Sequence, residues 1–287
     1  MMNYLITGVT GGLGSAILDS IKDKVAREKV SLLVRSEEKA NPFLEKGYDV
    51  RIADFSEKEK LVQAFSGIDT LMFVSSAPGQ SLSREKQHQN VVEAAIEAGI
   101  KNIVYTSISN GEHSKASLAP DHIITEKLIK DSGLTYKILR NNWYLENERG
   151  TLNSAVNDGV FVYAAGDGKV GWALKREYAE AAANVLLGDF LSSDIFELAG
   201  EQLTYAALAE AVSEVSGKEF EILSLSDIDF KKSLLEAGLP SEVVTIIAAI
   251  QSDIRHQELE VNESHLEQLL GHPQLDIHNA IREVLNT

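Results

Sequence analysis

The sequence predicts an α/β protein with a doubly wound parallel sheet, followed by a smaller, mainly helical α+β portion. Three observations predict it. Short apolar runs alternate with segments of helical spacing through the first half. A glycine-rich loop joins the first apolar run to the first helical segment. After Trp143 the alternation weakens and helical spacing dominates from Thr204 onward.

The elements follow in order. Tyr4 to Thr7 is short and apolar, as a strand buried on both faces should be, and Leu13 to Ile21 has helical spacing. Val30 to Val34 and Tyr48 to Ile52 read as the second and third strands. Ser56 to Phe65 reads as a helix with Ser56 as its N-cap. Thr70 to Val74 is a fourth strand, and Arg84 to Ala98 is a helix ended by Gly99. Asn102 to Thr106 is a fifth strand, His122 to Ser132 a helix ended by Gly133, and Tyr136 to Leu139 a sixth strand. Beyond Trp143, strands are expected at Val160 to Tyr163, at Asp194 to Leu198 returning to the main sheet, and at Glu219 to Leu223. Helices are expected at Glu177 to Leu187 and at Leu266 to Leu270, the latter closed by Gly271 and Pro273. This pattern divides the chain into residues 1–145 with about 170–199, and about 146–169 with 200–287.

Composition narrows the function. Of 287 residues, 44% are hydrophobic and 24% charged, which suits a globular protein. No apolar run reaches the roughly 20 residues of a membrane-spanning helix. The N-terminal segment lacks the basic start of a secretory signal, so a cytoplasmic protein is the simplest expectation. The absence of cysteine excludes disulfides, thiol chemistry and thiolate metal sites. The seven histidines show no metal-ligand spacing, so no metal is expected. A net charge of −16 without any basic run argues against direct contact with nucleic acid or anionic membranes.

The segment Ile6-Thr-Gly8-Val-Thr-Gly11-Gly12-Leu-Gly14 carries the most information. Its strand-loop-helix context is the one a dinucleotide fingerprint requires, and it makes the sheet Rossmann-type. Gly8 permits the sharp turn, Gly11 lets a pyrophosphate approach the backbone, and Gly14 lets helix and sheet pack closely. Free amides and the helix dipole then stabilise phosphate charge. At the end of the second strand an NAD-binding chain usually places Asp or Glu. Here stand Arg35 and Ser36, followed by Lys39. Arg35 can hold a 2′-phosphate bidentately, which favours NADP(H) over NAD(H), although Glu37 and Glu38 oppose a strict preference. Asp54, after the third strand, falls beside the adenine or serves as a simple turn former.

The spacing and context resemble the short-chain dehydrogenase/reductase superfamily, in which a Tyr-x-x-x-Lys pair supplies the proton donor and its activating lysine. The lysine here is Lys127, but Ile123 stands where the tyrosine belongs. That points to the NmrA-like, atypical branch, and within it the chain is similar to the bacterial NAD(P)H:quinone oxidoreductases. The similarity rests on Leu5 to Gly14, Val34-Arg35, Val104 to Ser107, Asp121-His122 through Glu126-Lys127, and Leu139 to Asn147. Further matches are Ala164 to Lys169, Glu197 to Gly200 and Leu270 to Pro273. The resemblance implies that Gly8, Thr10, Gly11 and Leu13 line the pyrophosphate and Arg35 meets the 2′-phosphate. Ser75, Ser76 and Ala77 would line the cofactor after the fourth strand. Lys127 would reach the nicotinamide ribose, with Asn142, Trp143 and Tyr144 around the nicotinamide and substrate.

Quinones accept hydride readily, so a pocket can act through orientation and electrostatics with little proton assistance. Asn142 can donate to a quinone carbonyl or bond the turn after the sixth strand. Tyr144, His122 and His113 are candidate proton donors. The expected activity is reduction of quinones or similar acceptors by NADPH, with NADH possible, in a monomer or homodimer. The competing readings are a non-enzymatic NADP(H)-binding redox sensor of the NmrA type and a sugar-nucleotide epimerase, against which the missing tyrosine counts.

Overall fold

The computed structural model describes residues 2–77 and 81–286. Seven strands form one parallel sheet: β1 (Tyr4–Ile6), β2 (Val30–Val34), β3 (Asp49–Ile52), β4 (Thr70–Phe73), β5 (Asn102–Ile108), β6 (Thr135–Asn141) and β9 (Asp194–Leu198). Their spatial order is β3-β2-β1-β4-β5-β6-β9, and every pair is parallel. The direction of winding reverses between β1 and β4. In an open α/β sheet, the crevice at that reversal, beyond the carboxyl ends of the strands, is where ligands bind.

Alternation along the strands builds two cores. Ile6, Leu32, Met72, Val104 and Leu139 face α1 (Gly12–Ile21) and α7 (Lys175–Leu187). Their neighbours Leu5, Leu33, Leu71, Ile103 and Ile138 face the opposite layer. That layer holds α3 (Lys58–Phe65), α4 (Arg84–Glu97) and α5 (Ala119–Asp131). Burial on both faces explains why these strands read as continuous apolar runs rather than as alternating ones.

The sequence left the segment between β2 and β3 without an element, yet α2 (Glu37–Leu44) forms there. Pro42 lies inside it, so the helix is short. Ser36 caps it by accepting a hydrogen bond from the Lys39 amide at 3.3 Å, and Glu37 and Glu38 complement its positive end. Ser56 is not an N-cap. Its amide and hydroxyl both bond Asp54 Oδ1, and α3 begins two residues later. β5 and β6 extend beyond their expected ends to Ile108 and Asn141, because they continue to pair with each other there and β6 also pairs with β9. α5 starts three residues early, with Pro120 in its first turn, where a missing N–H costs nothing.

A third core lies beyond the sheet. β7 (Val160–Tyr163) pairs with β11 (Glu221–Ser224), and β8 (Lys169–Gly171) pairs with β10 (Gln202–Thr204). They pack with α6 (Arg149–Asp158), α8 (Tyr205–Ser216) and α12 (Ile277–Leu285) around Phe161, Trp172 and Tyr205. Helices α9 (Asp227–Glu236) and α10 (Ser241–Arg255) cover one side through Phe230 and Ala248. Glu148 is buried here, accepting from Trp143 Nε1 at 3.0 Å and Tyr205 Oη at 2.7 Å. Burial pushes its carboxyl above the usual range. Helix α11 (Leu266–Leu270), closed by Gly271 at φ +79°, packs instead against α7 on the sheet side.

Candidate cofactor and substrate site

The cavity begins at the carboxyl end of β1. Gly8 adopts φ +68°, which glycine reaches without strain, and a Cβ there would press on Val74 at 3.1 Å. Gly14 is required for a different reason. A Cβ on it would lie 2.2 Å from the Gly8 carbonyl oxygen, so any side chain would separate α1 from β1. Gly11 is the N-cap of α1, and no side chain caps that helix or places a carboxylate in its first turn. The first amides of α1 therefore remain available to an anion. The sequence and geometry fit a dinucleotide pyrophosphate at this position.

The cavity is about 340 Å³, within the range of small-molecule sites. It brings together most of the residues that the sequence singled out. Gly8, Thr10, Gly11, Leu13 and Gly14 form its floor. Arg35 and Asp54 stand at the end beside β2 and β3, with Phe55 as an apolar neighbour. Ser75, Ser76 and Ala77 line the side beyond β4, and Tyr144 closes the far end. Asp54 also forms the turn that the Ser56 bonds describe, while lining the cavity.

Five sequence candidates lie elsewhere. Lys127 is not in the cavity. Its ammonium pairs with Asp131 at 2.6 Å on the solvent face of α5, and its side chain is 76% exposed. The face that α5 buries carries Ala119, His122, Thr125, Glu126 and Ile129, which turns Lys127 outward. Lys39 is exposed on α2 and does not line the cavity either. Asn142 is buried and its bonds are taken. Its Nδ2 donates to Ser109 Oγ and the Leu259 carbonyl, while its Oδ1 accepts from the Trp143 and Gly171 amides. It ties β6 to β8 and has no donor left for a substrate. Trp143 likewise packs into the third core. His113 is exposed on the surface beside Glu112.

His122 is buried behind the cavity in a polar network. Arg84, the first residue of α4, has its Nη2 3.0 Å from His122 Nε2, and Tyr105 Oη lies 2.8 Å from His122 Nδ1. An arginine can only donate, so Nε2 accepts and Nδ1 carries the hydrogen. His88 obeys the same logic. Its Nε2 accepts from the Ser76 amide at 3.1 Å, and its Nδ1 donates to Thr125 Oγ1 at 2.8 Å. Both rings are therefore neutral, and neither is a proton donor toward the cavity. Burial, reinforced by the Arg84 charge, lowers His88 to about 3 and moves His122 in the same direction.

The sign of the resulting pH effect is fixed. Below the ordinary histidine value of about 6.5, the unfolded chain takes up protons that the folded one refuses, so stability falls as pH drops toward about 3. His88 alone should remove about 2 kcal/mol between about pH 7 and pH 5. Urea unfolding at the two pH values checks this, and His88→Gln should flatten the dependence. An unchanged dependence in that variant would place the titrating group elsewhere.

Sequence reasoning missed Arg84. Its Nε is buried without a hydrogen-bond partner among the described residues, and no carboxylate forms an ion pair with it there. Its position as the first residue of a serine-capped helix gave no signal of burial. The charge acts on Tyr144, where it opposes the effect of burial on the phenol. Tyr144 is held by Asn141 Nδ2, which donates to its oxygen at 3.2 Å, and by the edge of Tyr178 at 5.1 Å. Burial raises its pKa above the ordinary tyrosine value, so the phenol is protonated near neutrality.

Comparisons with known proteins agree with this geometry. A family profile described as NAD(P)H-binding matches residues 8–170. Quinone oxidoreductase 2 of Escherichia coli is 36% identical over 283 residues, covering 98% of each chain. Its solved structure with NADPH superposes with a TM-score of 0.93 at 35% identity, over 99% of this chain and 100% of that one. The Citrobacter triphenylmethane reductase complexed with NADP(H) gives a TM-score of 0.93 at 31% identity, over 99% and 100%. An NmrA-like oxidoreductase of Aspergillus flavus is 28% identical over 298 residues, spanning 99% of this chain and 95% of its own. The glycine floor, the uncapped start of α1 and a relative matched from end to end lead to one assignment: this chain belongs to the NAD(P)H-binding family.

Proposed function

We propose that the protein is an NADPH-dependent reductase that delivers hydride to quinones or similarly flat electron acceptors, with NADH as an alternative donor. One observation carries the reading. A single cavity joins an uncapped helix start and Arg35 at one end to the phenol of Tyr144 at the other. The end-to-end likeness to a quinone oxidoreductase supports it.

The bound cofactor supplies a hydride, and one further proton completes the two-electron reduction of quinone to hydroquinone. The protein's own residues position and polarise. The floor around Gly8 and Gly11 holds the pyrophosphate, while Arg35 selects the 2′-phosphate. Ser75, Ser76 and Ala77 border the path toward the nicotinamide. Ser75 is fixed by its amide bond to Thr106 Oγ1 at 3.0 Å, and Ser76 by His88. Tyr144 accepts from Asn141 but has no acceptor for its own hydrogen among the described residues. That hydrogen is available to the acceptor's carbonyl oxygen as negative charge develops there. The product oxyanion is weakly basic, so a hydrogen bond suffices and water can supply the final proton. We place the reaction in the cytoplasm, on a monomer or homodimer.

The test is NADPH oxidation across a broad quinone panel. Stimulated oxidation is expected, and tight NADPH binding without turnover would favour the redox-sensor reading. Within that assay, Tyr144→Phe should lower kcat by about tenfold to hundredfold while leaving NADPH affinity unchanged. An unaltered kcat would remove Tyr144 from the chemistry.

A further inference from the structure

With Lys127 on the solvent face of α5, no cation from that helix reaches the cavity. A different lysine lies against two of its walls. Lys175 is the first residue of α7, and its backbone amide is fixed by the carboxylate of Glu146 at 2.9 and 3.1 Å. Its side chain runs over Gly12, where a Cβ would lie 3.4 Å from Lys175 Cδ and 3.9 Å from Nζ. The same ammonium stands 5.6 Å from the centre of the Tyr144 ring. Gly12 and Tyr144 both line the cavity. Among the described residues, Nζ makes no hydrogen bond and no ion pair.

We propose that Lys175 is the pyrophosphate-binding cation of this site, reaching the glycine loop from α7. The proposal rests on the reading that the cavity holds a dinucleotide with its pyrophosphate over the loop. A pyrophosphate diester carries two negative charges, more than the half-charge of a helix terminus balances. The Lys175 ammonium adds a full charge on the same side. The stem packs directly on Gly12, where even a Cβ would already be in van der Waals contact with it, 3.4 Å from Cδ. Contact with the Tyr144 ring face keeps the ammonium in place before the ligand arrives.

The role predicts a signature that differs from that of Arg35. NADPH and NADH share the pyrophosphate, so Lys175→Met should weaken both by the same factor, about tenfold or more. Adenosine 2′-monophosphate has no pyrophosphate, and its binding should be unchanged. Lys175→Arg should restore most of the loss. Calorimetric titration of these three ligands reads the outcome, with thermal unfolding of each variant as the check on folding, and Lys175→Gln replacing the methionine variant if that one misfolds. Unchanged dinucleotide affinity, loss confined to NADPH, or equal loss of adenosine 2′-monophosphate would each overturn the assignment. A Gly11→Val variant separates the two levels. If it binds NADPH normally, the cavity reading itself fails. If it does not bind while Lys175→Met binds normally, only the lysine's role fails.

Discussion

Gly11→Val should abolish NADPH binding in a protein that remains folded. Gly11 has φ −98° and ψ 166°, an extended conformation that valine adopts without strain. Among the described residues, a Cβ would approach the Gly8 carbonyl oxygen alone, at 3.3 Å, a contact relieved by a shift of a few tenths of an ångström. The valine branches would therefore occupy the space above the first amides of α1, where the pyrophosphate has to sit. A loss of at least a hundredfold in affinity, about 3 kcal/mol, is expected by titration, with thermal stability near that of the parent. Gly14→Ala gives the contrasting result. Its Cβ would lie 2.2 Å from the Gly8 oxygen, so the helix must leave the strand, and unfolding rather than selective loss of binding is expected. Near-normal affinity in a folded Gly11→Val variant would remove the phosphate cradle from the account.

The cofactor end of the site was legible because its requirements are local. A turn that needs φ > 0, a helix that must touch a strand and a cation at the end of β2 all leave marks within a few residues of sequence. The strands were legible for a similar reason, since burial on two faces writes an apolar run. The inner end was harder to read. Lys127 was placed by a spacing taken from proteins that have a tyrosine one turn earlier. In this helix Glu126 is buried, where Arg140 meets it at 2.7 and 2.9 Å, and Lys127 turns outward. Asn142 was open to two roles from sequence, and four satisfied bonds decide for the structural one. Arg84 and Lys175 left no local mark. Each reaches its place through tertiary packing, Arg84 against α5 and Lys175 through the contact of α7 with α1. Helix α2 was missed because Pro42 reads as a breaker in a segment of only eight residues, whereas the Ser36 cap and the helix dipole acting on Glu37 and Glu38 favour it.

Arg35→Ala should weaken NADPH by about tenfold to hundredfold and leave NADH within about twofold, because a hydrogen bond to a charged group contributes about 1.5–3 kcal/mol. Arg35 follows the last residue of β2 and lines the cavity from an exposed position, so its removal costs little folding stability. Its surroundings oppose it. Glu37 and Glu38 stand in the first turn of α2, and the whole chain carries −16. Salt then separates the local attraction from the global repulsion. In the parent protein, raising ionic strength screens both, and the affinity for NADPH should change only shallowly. In the alanine variant only repulsion of the 2′-phosphate remains, so added salt should strengthen NADPH binding relative to the parent. The comparison needs two cofactors and two salt concentrations on the same pair of proteins. Equal loss of NADPH and NADH, or parallel salt dependences in parent and variant, would show that Arg35 does not read the 2′-phosphate. Selectivity would then have to come from the shape of the pocket around Asp54 and Phe55.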